Sequence, residues 1–539
     1  MFKLFTTPQF RPQHYAGGVA VILLLIALYF AALRAVFAAG ESHSWQQLWQ
    51  DGYLRHLIWF SFWQAALSAF LSVILGVIFA RALFYQSFYG KALLLKIFSL
   101  TFVLPVLVAV FGLIGIYGSS GWLAKLSAWF NLDWHPNIYG LSGILIAHLF
   151  FNIPLAARFF LQSLQAIPPQ QHQLAAQLNI CGWQFIRLIE LPYLRQQMLS
   201  VFALIFMLCF TSFTIVLTLG GGPKYTTLEV AIYQAVIFDF DLSKAALFAL
   251  LQFVLCFVLF ALSHFFGKPA ETPVHSRRIW LTEQKSAVRI WQVFVIIVFS
   301  LFILLPLINI VVSALLSDAL FSLWQSPQLW RAIAYSFSIA PLSALLSLLM
   351  STAVLLLTRR LHWLYHPHLA AALINLSMII LAVPTLILAI GLFLLLQQTD
   401  FHRVHLFIIV LCCNALAAMP FVLRILAYPM NNNMIYYEKL CQSLGISGWR
   451  RFRFIEWHQL AQPLKYAFAL ACALSLGDFT AIALFGNQQF TSLPHLLYQQ
   501  LGSYRGEQAA VTALILLSVC LMLFCLAERN KRTQDDQIG

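Results

Sequence analysis

Apolar residues run through this chain in blocks of about twenty or more. They fall at about 16–38, 58–81, 95–118, 138–160, 200–219, 245–266, 290–316, 333–357, 370–397, 404–426, 466–486 and 508–526. Blocks of that length match membrane-spanning helices. The pattern predicts an all-α polytopic membrane protein with about twelve transmembrane helices. Barrel strands would instead be short and alternating. The first block exceeds the apolar centre of a secretory signal and reads as a spanning helix. Composition agrees: of 539 residues 61% are hydrophobic and only 9% charged. That balance excludes an ordinary soluble domain and a disordered chain.

The formal charge is +14. With the N-terminus inside and the helices alternating, the inner loops and tails hold 24 of the 32 Lys and Arg. Cytoplasmic loops of membrane proteins carry such an excess. The split therefore predicts cytoplasmic termini, and it accounts for the basic charge without nucleic acid. Nine cysteines lack any CxxC pair, so they read as small buried hydrophobes and not as a disulfide or zinc framework. No metal or other cofactor is expected.

A polar stretch, 267–289, divides the blocks six and six. It reads as a cytoplasmic linker between a first half, 1–266, and a second half, 290–539. The halves repeat each other. LAAQLNICGWQFIRLIE (174–190) aligns without gaps with LCQSLGISGWRRFRFIE (440–456) at an offset of 266. The same offset pairs Pro154 with Pro420, Arg158 with Arg424 and Gly220 with Gly486. Earlier, SFWQAALSAFLS (61–72) meets SFSIAPLSALLS (336–347) at 275, and Pro105 and Gly112 meet Pro384 and Gly391 at 279. Six helices per unit make these tandem parallel repeats, and transporter sites commonly lie between such repeats.

The most informative segments are two long loops on the cytoplasmic side, about 161–199 and 427–465. Each is longer than a helix connection needs. In the first, Leu174, Ala175 and Leu178, then Trp183, Ile186 and Ile189, recur at helical spacing. Each loop is thus expected to hold a short amphipathic helix, a turn and a second short helix. Repeated twice, it would form a docking surface for a two-fold cytoplasmic partner.

This spacing resembles the EAA loop of permease subunits of bacterial ATP-binding-cassette importers. Gln173, Leu174 and Ala175 hold the Glu-Ala-Ala places, Asn179 the glycine, and Ile189, Leu191 and Pro192 the Ile-x-Leu-Pro ending. In the second loop Lys439, Leu440 and Cys441 hold the first places and Gly445 the glycine. Ile455 holds the Ile, and Trp457 and His458 replace Leu-Pro. Neither loop begins with Glu, and the first lacks the glycine. A glycine between helices serves a left-handed backbone, and Asn is a side chain that tolerates it. Further blocks, among them SFWQAALSAFLSVILGVIFARALF, LPVLVAVFGLIGIYG and LSLGDFTAIALFGN, are similar to the fused permeases for thiamine and thiamine pyrophosphate of Gram-negative bacteria.

The resemblance implies a type I importer permease fold in a bacterial inner membrane. It also implies a periplasmic substrate-binding protein outside and two copies of a cytoplasmic ATPase inside. Coupling to that ATPase would fall to Gln173, Leu174, Ala175, Asn179, Gly182, Glu190 and Pro192. In the second loop it would fall to Lys439, Leu440, Cys441, Gly445, Gly448 and Glu456. The chain itself carries no phosphate-binding loop: its Gly-Lys pairs at 90–91 and 267–268 are followed by Ala and Pro. It is therefore not expected to be an enzyme. A ferric iron importer and an ion-coupled secondary carrier are the alternative readings. No metal-ligand constellation supports the first, and the scarcity of intramembrane charge argues against the second.

Within the membrane Asp478 stands out, with Ser212 as its counterpart and Thr214 and Thr480 beside them. A carboxylate there faces water or the bundle interior. Asp478 either lines the pathway of a cationic substrate or anchors broken backbone near Gly477. Glu190 and Glu456 follow Arg187 and Arg453 by three residues, which on an α-helix places each pair on one face. They would form surface pairs or meet the ATPase. Trp45, Trp49, Trp59 and Trp63 read as an interfacial aromatic belt against membrane lipid.

Overall fold

A computed structural model describes residues 15–40, 52–132, 134, 136–266, 286–378, 383–396, 403–446, 448–486 and 490–529. The expected linker therefore lies, up to residue 285, outside the described residues, as do Trp45 and Trp49. Eleven described helices are long and apolar enough to cross a membrane. The ninth expected block is instead built from two shorter helices, Pro367–Ser377 and Thr385–Leu396. Its counterpart in the first half is also interrupted, as Lys91–Thr101 and Val106–Tyr117 with Pro105 at the N-cap. Proline lacks the N–H a continuing helix needs and disfavours the α conformation before it, so Pro105 and Pro384 start new helices.

The described chain forms two compact units. One comprises the described residues within 1–44, 232–254 and 318–539, and the other those within 45–231 and 255–317. These are not the sequence halves: the leading helix of each half falls in the unit of the other, and so do residues 232–254 of the first half. In the first unit Ala16–Gly40 lies against Thr385–Leu396 and Pro327–Trp363. In the second, Ser286–Leu315 lies against Val106–Tyr117 and Gly52–Tyr85.

Glycine makes both exchanges possible. A Cβ on Gly391 would stand 2.6 Å from the Ala32 carbonyl oxygen, and one on Gly112 would stand 2.6 Å from that of Pro306. Both distances are shorter than atoms can share. Small residues that let helix backbones approach closely drive association in membranes, where burial of apolar area gives little. Gly112 and Gly391, paired in the sequence repeat, receive the exchanged helix in their respective units.

A second repeated contact ties each long helix to a short one. Ser61 Oγ accepts from the Leu228 N–H at 3.0 Å, at the start of Leu228–Ile237. Ser336 Oγ accepts from the Leu493 N–H at 2.9 Å, at the start of Leu493–Gly502. Each hydroxyl satisfies one of the amides that a helix N-terminus leaves unpaired.

Candidate functional site: paired loops and broken helices

In the first loop Pro168 and Pro169 open a separate helix, Pro169–Gln177, with proline at its first position. In the second loop no separate helix forms. Arg403–Ser443 continues unbroken to the turn, because Met434 and Ile435 stand where the first loop has its two prolines. The turns nonetheless coincide. Asn179 has φ 50° and Gly445 φ 62°. The N–H of Ile180 donates to Ala175 O at 2.8 Å, and that of Ile446 to Cys441 O at 2.9 Å. This is one C-terminal cap built twice, with Asn179 in the glycine's place. Gly182 and Gly448 supply a second left-handed residue, at φ 60° and 61°.

Past the turns, Gly182–Phe185 and Gly448–Arg451 lead into π-helical turns at Ile186–Glu190 and Phe452–Glu456. The wider π turn takes residues three apart off a common face. The expected surface pairs with Arg187 and Arg453 are therefore not made: both arginines are exposed and both glutamates buried. Glu190 accepts instead from Arg81 Nε at 2.8 Å and from the Tyr85 hydroxyl at 2.5 Å. Glu456 accepts from Arg451 Nε at 2.7 Å and pairs with Arg359 at 3.1 Å. Arg451 also pairs with Glu438. Buried charges are paired in this way because an isolated one is costly.

The repeat makes a substitution here. His172 and Phe185 stand where the second loop has Glu438 and Arg451. The imidazole lies between Phe84 and Phe185, with ring centroids 6.2 and 5.4 Å away. Burial pushes the His172 pKa down, while the Glu190 charge pulls it up. An aromatic sandwich thus replaces an ion pair at one position of the repeat.

The remaining loop residues divide by exposure. Ala175 and Cys441 are buried and anchor their turns. Gln173, Lys439, Gly182, Gly448 and Pro192 are exposed. Large apolar side chains are exposed at matching positions: Leu174 and Leu440 (55% and 49%), Leu178 and Leu444 (63% and 62%), Leu188 and Phe454 (58% and 73%). Repeated exposed apolar surface marks an interaction site more than scattered single residues do.

The helices that follow the loops are broken at equivalent points. Leu191–Phe210 stops and Phe213–Leu219 begins, with Ser212 between. Trp457–Gly477 stops and Thr480–Phe485 begins, with Asp478 between. Irregular backbone at membrane depth needs polar partners. In one unit His148 ties the side chain at the break to the neighbouring long helix, its Nδ1 and Nε2 each 2.9 Å from the hydroxyls of Ser68 and Ser212. In the other, Ser475 Oγ accepts from Ser343 Oγ at 2.6 Å and from Asn414 Nδ2 at 2.9 Å. Asp478 Oδ1 accepts from the Thr480 N–H at 3.2 Å, while its buried Oδ2 has no hydrogen-bond partner among the described residues.

The Oδ1 contact is of the kind a backbone anchor makes, and the unpartnered Oδ2 of the kind a pathway carboxylate would show. Thr214 is buried and Thr480 half-buried beside these breaks. Sequence reasoning missed Ser68, His148, Asn414 and Ser475. For His148 and Asn414 the signal was the repeat itself: the offset of 266 pairs them, polar residues inside apolar blocks.

Doubled loops with exposed apolar faces, joined to broken membrane helices, define a polytopic transport permease. The chain belongs to the family of inner membrane components of binding-protein-dependent transport systems, whose pattern matches residues 72–268 and again 365–533. It is 62% identical over 535 residues to the thiamine transport system permease protein of Haemophilus influenzae, covering 99% of each chain. It is 44% identical over 520 residues to the protein of that name from Escherichia coli, covering 96% of this chain and 97% of the other. A sulfate transport system permease protein from Synechocystis is 25% identical over 198 residues, which is 36% of this chain and 70% of that one.

Proposed function

We propose that this chain is the membrane-spanning subunit of an ATP-binding-cassette importer that carries thiamine and its phosphate esters into the cytoplasm. The likeness to thiamine permeases over nearly the whole length carries the cargo assignment. The two loops, with apolar residues exposed at matching positions, support docking of two ATPase subunits. In this reading the loops and both termini face the cytoplasm, and a substrate-binding protein delivers cargo at the other side. ATP hydrolysis belongs to the partner. Closure of the ATPases would displace the loops at 173–192 and 439–458, and the attached broken helices would follow.

The cargo is tested by uptake of labelled thiamine in cells expressing the chain with an ATPase and binding protein. Excess unlabelled thiamine pyrophosphate or ferric iron serves as competitor. The expected result is energy-dependent uptake blocked by the pyrophosphate alone. No thiamine uptake, with the three proteins still co-purifying, overturns the cargo and leaves the importer.

A further inference from the structure

Each loop is joined to a long membrane helix by an ion pair on a buried glutamate, with Arg359 buried and Arg81 partly exposed. Arg81 lies near the end of Gly52–Tyr85 and meets Glu190, and Arg359 lies near the end of Pro327–Trp363 and meets Glu456. The same two helices carry Ser61 and Ser336, which hold the short helices Leu228–Ile237 and Leu493–Gly502. Ser61 and Arg81 are twenty residues apart, so about 30 Å of helix separates them. That is the thickness of a bilayer core. In both repeats, then, one rigid helix is fastened by its arginine to the loop and by its serine to the first residue of a short helix about a membrane's thickness away.

The pairs are poor candidates for mere stabilisation, because a buried ion pair often adds no more than an apolar pair of the same volume. The offset between the two halves drifts along these helices, from 275 at Ser61 and Ser336 to 278 at Arg81 and Arg359, and each arginine still reaches the matching glutamate.

We infer that Arg81–Glu190 and Arg359–Glu456 are the positioning links that pass loop displacement to Gly52–Tyr85 and Pro327–Trp363, and through Ser61 and Ser336 to the short helices beyond. This rests on the loops being the ATPase docking sites. Two points joined by a chain of contacts need not be coupled, so the claim requires a coupling measurement.

The test uses the full complex of this chain, ATPase and binding protein in proteoliposomes. Arg81→Gln, Glu190→Gln and the double variant are compared with wild type. The readouts, all per assembled complex, are thiamine uptake and the ratio of ATP hydrolysis with and without loaded binding protein. Each single variant is expected to lower both by about tenfold, within the range of inter-site coupling energies. The double variant is expected to be no worse than either single, because one link is being removed. Arg81→Lys, which keeps the charge but not the planar fork, should fall between. Multiplying losses in the double variant overturn the inference. So do single variants whose uptake and stimulation ratio per complex equal wild type, whatever happens to the yield. A wild-type complex that binds no ATPase, or that shows no stimulation, would instead overturn the docking reading.

Discussion

At the scale of the residue, the loops turn on backbone conformation rather than on side-chain chemistry. Asn179 and Gly445 occupy one left-handed position, and an ordinary L residue there costs about 1–2 kcal/mol. Asn179→Gly should therefore retain ATPase binding and transport. Gly445→Val should lose that amount of stability and weaken the turn. Thermal melting of the purified protein, with co-purification of the ATPase, measures both. That Asn serves here was legible in the sequence, because the requirement is local and Asn is among the few side chains that meet it. The environment of Glu190 and Glu456 was not. Their burial depends on a π turn that no spacing rule encodes and on arginines a hundred residues away in the chain.

At the scale of the element, the two loops share one backbone and differ in what holds it. The second is clamped by Glu438, Arg451, Glu456 and Arg359, while the first replaces Glu438 and Arg451 with His172 and Phe185. Phe185→Arg alone places a guanidinium that can reach Glu190, as Arg451 reaches Glu456, but lacks the second carboxylate that Glu438 supplies, and should cost about 1–3 kcal/mol for its unmet donors. His172→Glu with Phe185→Arg should recover most of that loss, since the transplanted pair has a template in the same fold.

His172 also sets a pH dependence. Burial lowers its folded pKa below the ordinary imidazole value of about 6.5 that the unfolded chain keeps. Its contribution to stability is thus complete above about pH 6.5 and declines as the pH falls below it, toward the lowered folded value. His172→Phe should flatten the melting temperature over that acidic window; an unchanged slope would assign the dependence to other groups.

At the scale of the whole molecule, the sequence repeat and the packing units diverge. Hydrophobic blocks and the tandem offset were legible because they are properties of the chain taken in order. The exchange of Ala16–Gly40 and Ser286–Leu315 was not, since nothing in a helix's own pattern says which repeat it will lie against. Its trace was present all the same in Gly112 and Gly391, whose missing side chains admit a neighbouring backbone. Gly112→Leu and Gly391→Leu should each push the exchanged helix away and lower the melting temperature. Leucine at Gly17, where nothing lies within 4 Å of an added Cβ, should not.

Two equivalent docking loops on one chain would hold two ATPase subunits. Native mass measurement of the purified complex tests this most directly. One permease chain with two ATPase copies is expected, with loss of binding when Leu174 and Leu178, or Leu440 and Leu444, are changed to Asp. A single ATPase per chain, or two copies held undiminished by both loop variants, would contradict it.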